Sequence, residues 1–127
     1  MQDYHLYEYA TIRLIPRVER GEFINIGTVL YCKHLRFLES KFHYDVEKIN
    51  ALFKEVDHEV VKCYIGSFEA ICKGVKEGGA IGELPLAERF RWLTATRSTI
   101  IQTSAVHPAY CKEAEITLDR LFEELVL

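Results

Sequence analysis

The sequence predicts an α+β protein: a single domain, residues 1–127, in which helices pack on one face of an antiparallel sheet of about four strands. Residues 4–15 alternate between two faces in steps of two, which is typical of a strand. Residues 46–75 change to the three-and-four spacing of amphipathic helices. Hydrophobic residues make up 49% of the 127-residue chain, enough for one core without disulfides.

The first three predicted strands form a meander. Residues 4–15 (YHLYEYATIRLI) are rich in aromatic and β-branched residues, and Pro16 should end this strand because proline cannot donate to a ladder. Gly21 allows the turn that brings residues 23–32 (FINIGTVLYC) back as a second strand. Residues 35–43 (LRFLESKFH) are the predicted third strand. Such a meander must bury a face to be stable.

The rest of the chain alternates between helices and one late strand. Asp45 and Asp57 are predicted to cap a short and a longer helix, and the glycines of GVKEGGAIG should end the longer one. Pro85 opens a third helical segment. Residues 98–106 (STIIQTSAV) are the predicted fourth strand, whose continuation Pro108 limits, and residues 112–126 form a closing helix. The longer helix has an inward stripe that includes Val61, Tyr64, Ile65, Phe68 and Ile71.

Composition and charge exclude several classes of function. Sixteen basic and nineteen acidic side chains give a formal charge of -3, so nucleic acid is not an expected partner. No apolar run approaches the ~20 residues of a membrane span, and the amino terminus lacks the layout of a secretory signal. We therefore predict a cytoplasmic protein without a membrane partner. The four scattered cysteines are then expected to be reduced.

The sequence predicts neither a metal nor another cofactor. The closest grouping for zinc is Cys32-Lys-His34, which lacks the Cys-x-x-Cys spacing. Glu115, Asp119 and Glu123 repeat on one helix and could offer oxygen ligands, but a row on a single helix forms no cage. A solvated helix face is the favoured interpretation of this row.

Basic residues around the first turn are the main candidates for a site. Arg13, Arg17 and Arg20 cluster there, and Arg97 precedes the fourth strand. If these strands are neighbours, the guanidinium groups could hold a phosphate or a carboxylate. Glu22 and His107 are weak candidates for proton transfer in an RNA-cleaving reaction. The simpler alternative, which we favour, is that acidic neighbours neutralise these arginines at the surface.

Asn25 and Gly27 interrupt the second strand. Asn25 is polar, and Gly27, two residues later on the same predicted face, has no side chain. This pattern suggests a β-bulge, a buried hydrogen bond or close approach of another backbone. A structural partner within the fold is therefore the favoured role for Asn25.

Three segments resemble a bacterial family catalogued as domain of unknown function 3037. They are residues 7–32 (YEYATIRLIPRVERGEFINIGTVLYC), residues 97–108 (RSTIIQTSAVHP) and residues 118–126 (LDRLFEELV). Ala105 and His107 depart from the family pattern, where we expect a proline and a basic residue. The most specific part is the core formed by Arg20, Gly21, Glu22, Phe23, Asn25 and Gly27.

The resemblance implies a small cytoplasmic protein often encoded beside a kinase-like protein of the persistence-toxin type, and it implies no particular chemistry. We accordingly predict a non-enzymatic binding or accessory protein that acts with a protein partner. Its expected recognition surface contains Arg20, Glu22, Asn25 and Arg97. The alternatives are a nuclease or other phosphate-processing enzyme using Glu22 and His107, and a homo-oligomer joined through an open sheet edge.

Overall fold

Five strands and five α-helices make up the part of the chain that the computed structural model describes, residues 3–127. This is the predicted α+β class. Two short 3₁₀ turns, Val18–Arg20 and Lys76–Gly78, join elements. The strands are β1 (His5–Leu14), β2 (Ile24–Cys32), β3 (Phe37–Phe42), β4 (Ile101–Thr103) and β5 (His107–Cys111); the helices are α1 (Val46–Leu52), α2 (His58–Lys73), α3 (Gly79–Gly82), α4 (Leu86–Thr94) and α5 (Ala114–Leu125).

Strand β1 is the centre of an antiparallel sheet. On one side of it lies β2, with β3 beyond, which confirms the predicted meander. The other side pairs with two short strands: Leu14 faces Ile101 of β4, and His5 faces Cys111 of β5. The sheet therefore has five strands, one more than predicted, and its outer edges are β3 on one side and β4 with β5 on the other.

The predicted fourth strand, residues 98–106, is the least accurate element. Only Ile101–Thr103 form β4, and a separate strand runs through Pro108. Between them Ser104 maintains the contact with β1. Its N–H donates to the carbonyl oxygen of Thr11 at 2.8 Å, and its hydroxyl accepts from the Thr11 N–H at 2.9 Å. Proline is tolerated in β5 because, in an edge strand, its missing N–H can face the open side.

Helices cover both faces of the sheet, not one face as predicted. Ala10 and Ile12 of β1 pack in the main core with residues of α2 and α4. Tyr7 points to the opposite face, because successive side chains of a strand alternate. There it packs with Leu118 and Leu121 of α5. The C-terminal helix thus encloses a second, smaller core.

A β-bulge accounts for Asn25 and Gly27. The register between β1 and β2 shifts by one residue after Ile12, so the two residues do not share a face. Asn25 lies on the α5 side, where its Nδ2 donates to the Leu125 carbonyl at 3.1 Å. A Cβ on Gly27 would lie only 2.6 Å from the Lys41 carbonyl oxygen of β3. All three predicted explanations, a bulge, a hydrogen bond and close backbone approach, are therefore present.

The predicted helix signals are confirmed. The Asp45 carboxylate caps α1 by accepting from the Lys48 N–H at 3.1 Å, and that of Asp57 caps α2 by accepting from the Val60 N–H at 3.2 Å. Gly74 ends α2 in the left-handed conformation, with φ of 67°. Among residues 3–127, no helix is long and apolar enough to cross a membrane.

Candidate functional site

The turn between β1 and β2 contains the charged residues singled out in the sequence. Gly21 adopts φ of 71°, which lets the chain reverse after the 3₁₀ turn. Arg17 Nε lies 2.6 Å from Glu19 Oε1, and Arg20 Nε lies 2.7 Å from Glu22 Oε1. The hydrogen bond from Arg17 lowers the pKa of the Glu19 carboxyl below its ordinary value. These are the surface pairs of the favoured alternative, and such pairs contribute only about 0–1 kcal/mol each.

The same turn borders a shallow cavity of about 400 Å³. Arg20 and Glu22 line it from the turn, and Phe53 with Lys54 line it from the segment after α1. All four charged side chains of the turn are more than half exposed. The arrangement is a solvated groove in which the arginines of the turn are already paired with its glutamates.

A different cavity contains Arg97. It has a volume of about 140 Å³ and lies between α2, α4 and β4. Its walls include Phe68, Ile71, Leu93 and Ile101, all from the main core. The cavity is therefore an opening in the apolar packing of the larger core rather than a groove between charged loops.

Two aromatic side chains and one guanidinium form the rim of this cavity. Tyr64 is 47% exposed and Trp92 is 39% exposed, so both rings present apolar surface to solvent at the cavity. The Arg97 guanidinium carbon lies 4.2 Å from the centroid of the Trp92 ring, and the group donates a hydrogen bond to the Trp92 carbonyl. Stacking and this bond fix Arg97 while other N–H groups of the guanidinium stay available to a ligand. We call Tyr64, Trp92 and Arg97 with the cavity they surround the aromatic cavity.

The structure does not assemble the predicted site residues into one site. Arg20 and Glu22 line the cavity at the first turn, whereas Arg97 belongs to the aromatic cavity. Asn25 is half-buried between β2 and α5 and acts as a tie within the fold. Of the four predicted binding residues, only Arg97 meets an apolar cavity.

The two candidate catalytic residues lie far apart along β1, His107 beside its middle and Glu22 beyond its end. His107 pairs with Tyr9 and its ring lies 5.4 Å from the Tyr9 ring. Glu22 precedes β2, which begins opposite Leu14. From Tyr9 to Leu14 the strand advances roughly 17 Å at ~3.3 Å per residue. A proton cannot be shuttled between groups so far apart without intervening carriers.

The acidic row on α5, Glu115, Asp119 and Glu123, contacts a lysine of the sheet through one of its members. Asp119 accepts a hydrogen bond from Lys41 Nζ at 2.6 Å, which ties α5 to β3. Within residues 3–127, no group of three His, Cys, Asp or Glu side chains is placed to hold a metal ion. Cys32, Cys72 and Cys111 are buried free thiols, and Cys63 is an exposed one.

Sequence reasoning missed two residues of the aromatic cavity. Tyr64 was assigned to the inward stripe of α2, but it lies at the exposed side of that stripe. Trp92 received no role, although it is the single tryptophan of the chain. The sequence offered one signal for this site. Trp92 stands five residues before Arg97, on a helix whose inward residues are Phe90 and Leu93.

Comparison with known proteins identifies the family. The model of a family described as protein of unknown function DUF3037 matches residues 9–126. The chain belongs to this family. The match begins within β1 and ends after α5, so the DUF3037 model covers β2 to β5, the second half of β1 and the helices on both faces. No curated protein and no solved structure matches the chain significantly.

The segment from Arg20 to Gly27, which lies within the DUF3037 match, has a structural explanation at three positions. Gly21 turns the chain, Asn25 binds the end of α5, and Gly27 allows close contact with β3. Arg97, which also lies within the match, is at the aromatic cavity. The cavity, rather than the charged turn, is therefore the candidate functional site.

Proposed function

We propose that this protein is a non-enzymatic accessory protein that binds a protein partner through the aromatic cavity. The observation that supports the proposal is an apolar cavity opening at the surface between exposed Tyr64 and Trp92, with the Arg97 guanidinium at its rim. Aromatic and arginine side chains around a desolvated pocket are the usual energetic centres of protein interfaces. We further propose that the protein acts in the cytoplasm, where its four free thiols would persist.

The size of the cavity favours a side chain over a nucleotide. At about 140 Å³ it is close to the ~150 Å³ of an engineered apolar cavity that binds benzene. A leucine or phenylalanine side chain has these dimensions, whereas a nucleoside phosphate does not. The occupant that fits is a single apolar anchor projecting from a peptide backbone.

The positive charge of Arg97 restricts which residue of the partner can lie beside the apolar anchor. Arg97 presents a fixed planar donor group, which matches a carboxylate in geometry and charge. Nearby hydroxyl and amide groups are already engaged: Thr99 donates to the Ile101 carbonyl at 2.7 Å, and Gln102 donates to the Thr99 carbonyl at 2.8 Å. We therefore propose that the partner segment has an aspartate, a glutamate or a chain-terminal carboxylate beside its apolar anchor.

The first experiment uses peptides and the tryptophan of the cavity. Random peptides displayed on phage are selected on the immobilised protein, and the enriched peptides are titrated while Trp92 fluorescence is followed. The expected peptides contain an apolar residue next to a carboxylate. Arg97→Gln should weaken their binding about tenfold, the effect of losing a hydrogen bond to a charged group. Ser67→Phe, at the wall of the cavity, should abolish binding by filling it.

A matched control separates the effect of Arg97 at the cavity from the general effect of removing a positive charge. Arg120→Gln removes an exposed arginine from α5, on the other face of the sheet, and should leave the affinity unchanged. Failure to enrich any peptide, or equal binding by the wild type and the Arg97→Gln and Ser67→Phe variants, would refute the proposal. The kinase-like protein implied by the family resemblance is the first natural partner to test by pull-down, with the same variants.

The alternatives need other assays. For a nuclease using Glu22 and His107, RNA turnover above that of a Glu22→Ala, His107→Ala double variant would be required as support. A homo-oligomer joined through a sheet edge could pair β3 or the edge of β4 and β5, where Pro108 removes one donor. The mass in solution at micromolar concentration tests that alternative.

A further inference from the structure

A third cavity lies on the same face of the sheet as the aromatic cavity but shares no lining residue with it. Its volume is about 350 Å³, within the range of roughly 300–1,000 Å³ that is usual for small-molecule sites. The end of the sheet, the turn between β2 and β3, and helix α4 surround it. Lining residues include Leu6, Glu8, Tyr31, Lys33, His34 and Arg91.

Three charged side chains reach this cavity from three different elements. Glu8 comes from β1, Lys33 from the turn after β2, and Arg91 from α4. The ion pairs among the described residues join other groups, so the Glu8 carboxylate is not within 4.0 Å of either cation. One negative and two positive groups thus line a common space without forming a close ion pair with one another. This differs from the first turn, where each arginine is paired with its neighbour.

The floor between these charges is apolar and well supported. Tyr31 is only 7% exposed, and its ring stacks on Phe90 of α4 with centroids 5.3 Å apart. Leu6 is 45% exposed and provides an apolar wall. A ligand here would meet an aromatic and aliphatic surface with opposite charges at its borders, the usual composition of a small-molecule pocket.

We infer that this cavity binds a small zwitterion of the α-amino-acid type. Its carboxylate lies against Lys33 and Arg91, its ammonium group against Glu8, and its carbon skeleton against Leu6 and Tyr31. A molecule with both charges satisfies both sets of groups, whereas a simple anion leaves Glu8 repelling it and a simple cation leaves the two basic groups unpaired. The inference does not depend on the peptide-binding proposal, because the two cavities are separate.

Matched ligands test the two charges separately. Norleucine carries both groups, hexanoate lacks the ammonium group and pentylamine lacks the carboxylate, so the three share an aliphatic chain. Each is titrated into the ¹⁵N-labelled protein, with inorganic phosphate as a fourth probe, and affinities are taken from the amide shifts of the cavity residues. We expect norleucine to bind about tenfold more tightly than hexanoate, pentylamine or phosphate.

Variants that each remove one charge show which side chain binds the ammonium group of the ligand and which side chains bind its carboxylate. Glu8→Gln should reduce norleucine affinity about tenfold and leave hexanoate affinity unchanged or higher. Arg91→Gln and Lys33→Gln should each reduce the affinity for both norleucine and hexanoate. Lys33 lies in an exposed turn, so the second variant still gives a result if Arg91→Gln folds poorly. The control is Glu88→Gln, an exposed carboxylate on α4 outside the cavity, which should change nothing.

Three results would overturn the inference. The first is that none of the four ligands shifts the cavity amides at millimolar concentration. The second is that hexanoate or phosphate binds as tightly as norleucine, which would indicate a plain anion site. The third is that Glu8→Gln and Glu88→Gln have the same effect on norleucine affinity. The aromatic-cavity peptides remain an independent measurement in every case.

Discussion

Asn25 of β2 donates a hydrogen bond to the carbonyl oxygen of Leu125, one hundred residues later in the chain, with 3.1 Å between the two heavy atoms. The carbonyl belongs to the last turn of α5, where backbone acceptors have no helical donor. The bond therefore satisfies a helix end and joins the second core to the bulge in β2. This contact gives Asn25 a structural partner within the fold.

Replacing Asn25 should weaken the attachment of α5. We expect Asn25→Ala to lower the free energy of unfolding by about 1–3 kcal/mol, because the Leu125 carbonyl loses its donor in a half-buried position. Urea unfolding followed by circular dichroism measures the change. Asn50→Ala is the matched control, since Asn50 is exposed, and should cost less than about 1 kcal/mol. Equal losses for the two variants would contradict the structural role of Asn25.

Gly27 should tolerate no side chain. In Gly27→Ala the new Cβ would lie 2.6 Å from the Lys41 carbonyl oxygen and 2.9 Å from Phe42 Cδ1, so β2 and β3 must separate. We expect a loss of about 1–3 kcal/mol or more in the free energy of unfolding. The opposite result is expected for Gly66→Ala in α2, where no atom lies within 4 Å and the helix propensity of alanine adds up to about 1 kcal/mol. A neutral Gly27→Ala would show that the strands can move apart at little cost.

Ser104 should stabilise the junction between β4 and β5. Its hydroxyl accepts from the buried Thr11 N–H at 2.9 Å, so Ser104→Ala leaves that donor without a partner. The expected cost is about 1–3 kcal/mol in the free energy of unfolding, with faster hydrogen exchange at the Thr11 amide. Ser98→Ala, at an exposed position, serves as the control. Unchanged exchange at Thr11 would show that the hydroxyl is dispensable.

The Cys72 thiol should make stability depend on pH in the alkaline range. Burial raises the pKa of this thiol from an ordinary value of 9.0 to about 12. The folded protein then keeps a proton that the unfolded chain loses, so this contribution is complete below about pH 9 and is lost as the pH rises towards about 12. We expect the stability of the wild type relative to Cys72→Ala to fall by up to about 1.4 kcal/mol per pH unit in that window.

Chemical unfolding from about pH 8 to about pH 11 tests this expectation. Cys63→Ala is the control, because Cys63 is exposed. The difference in free energy of unfolding between this variant and the wild type should stay constant with pH. A constant difference between the wild type and Cys72→Ala over the whole range would contradict the effect of burial on Cys72.

The candidate site shows where sequence reasoning stops. Arg97 was predicted as a binding residue from its position before a strand, and it does line a cavity. Its expected companions Arg20 and Glu22 pair with each other elsewhere. Tyr64 has the helical spacing of core residues, so periodicity alone assigns it to the interior, and Trp92 lies outside the inward face of α4. Only the positions of α2, α4 and β4 relative to one another leave both aromatic rings at the surface.

By itself, the sequence determined the α+β class, the meander, and the caps at Asp45 and Asp57, because these depend on local periodicity, on side-chain hydrogen bonds to nearby N–H groups and on turn residues. Tertiary structure decided what depends on distant partners. It placed α5 on the second face of the sheet and divided the late strand at Ser104, since both outcomes require contacts with β1 about one hundred residues away. It also separated Arg20 from Arg97, because strand order and helix packing, not spacing along the chain, determine which side chains share a cavity.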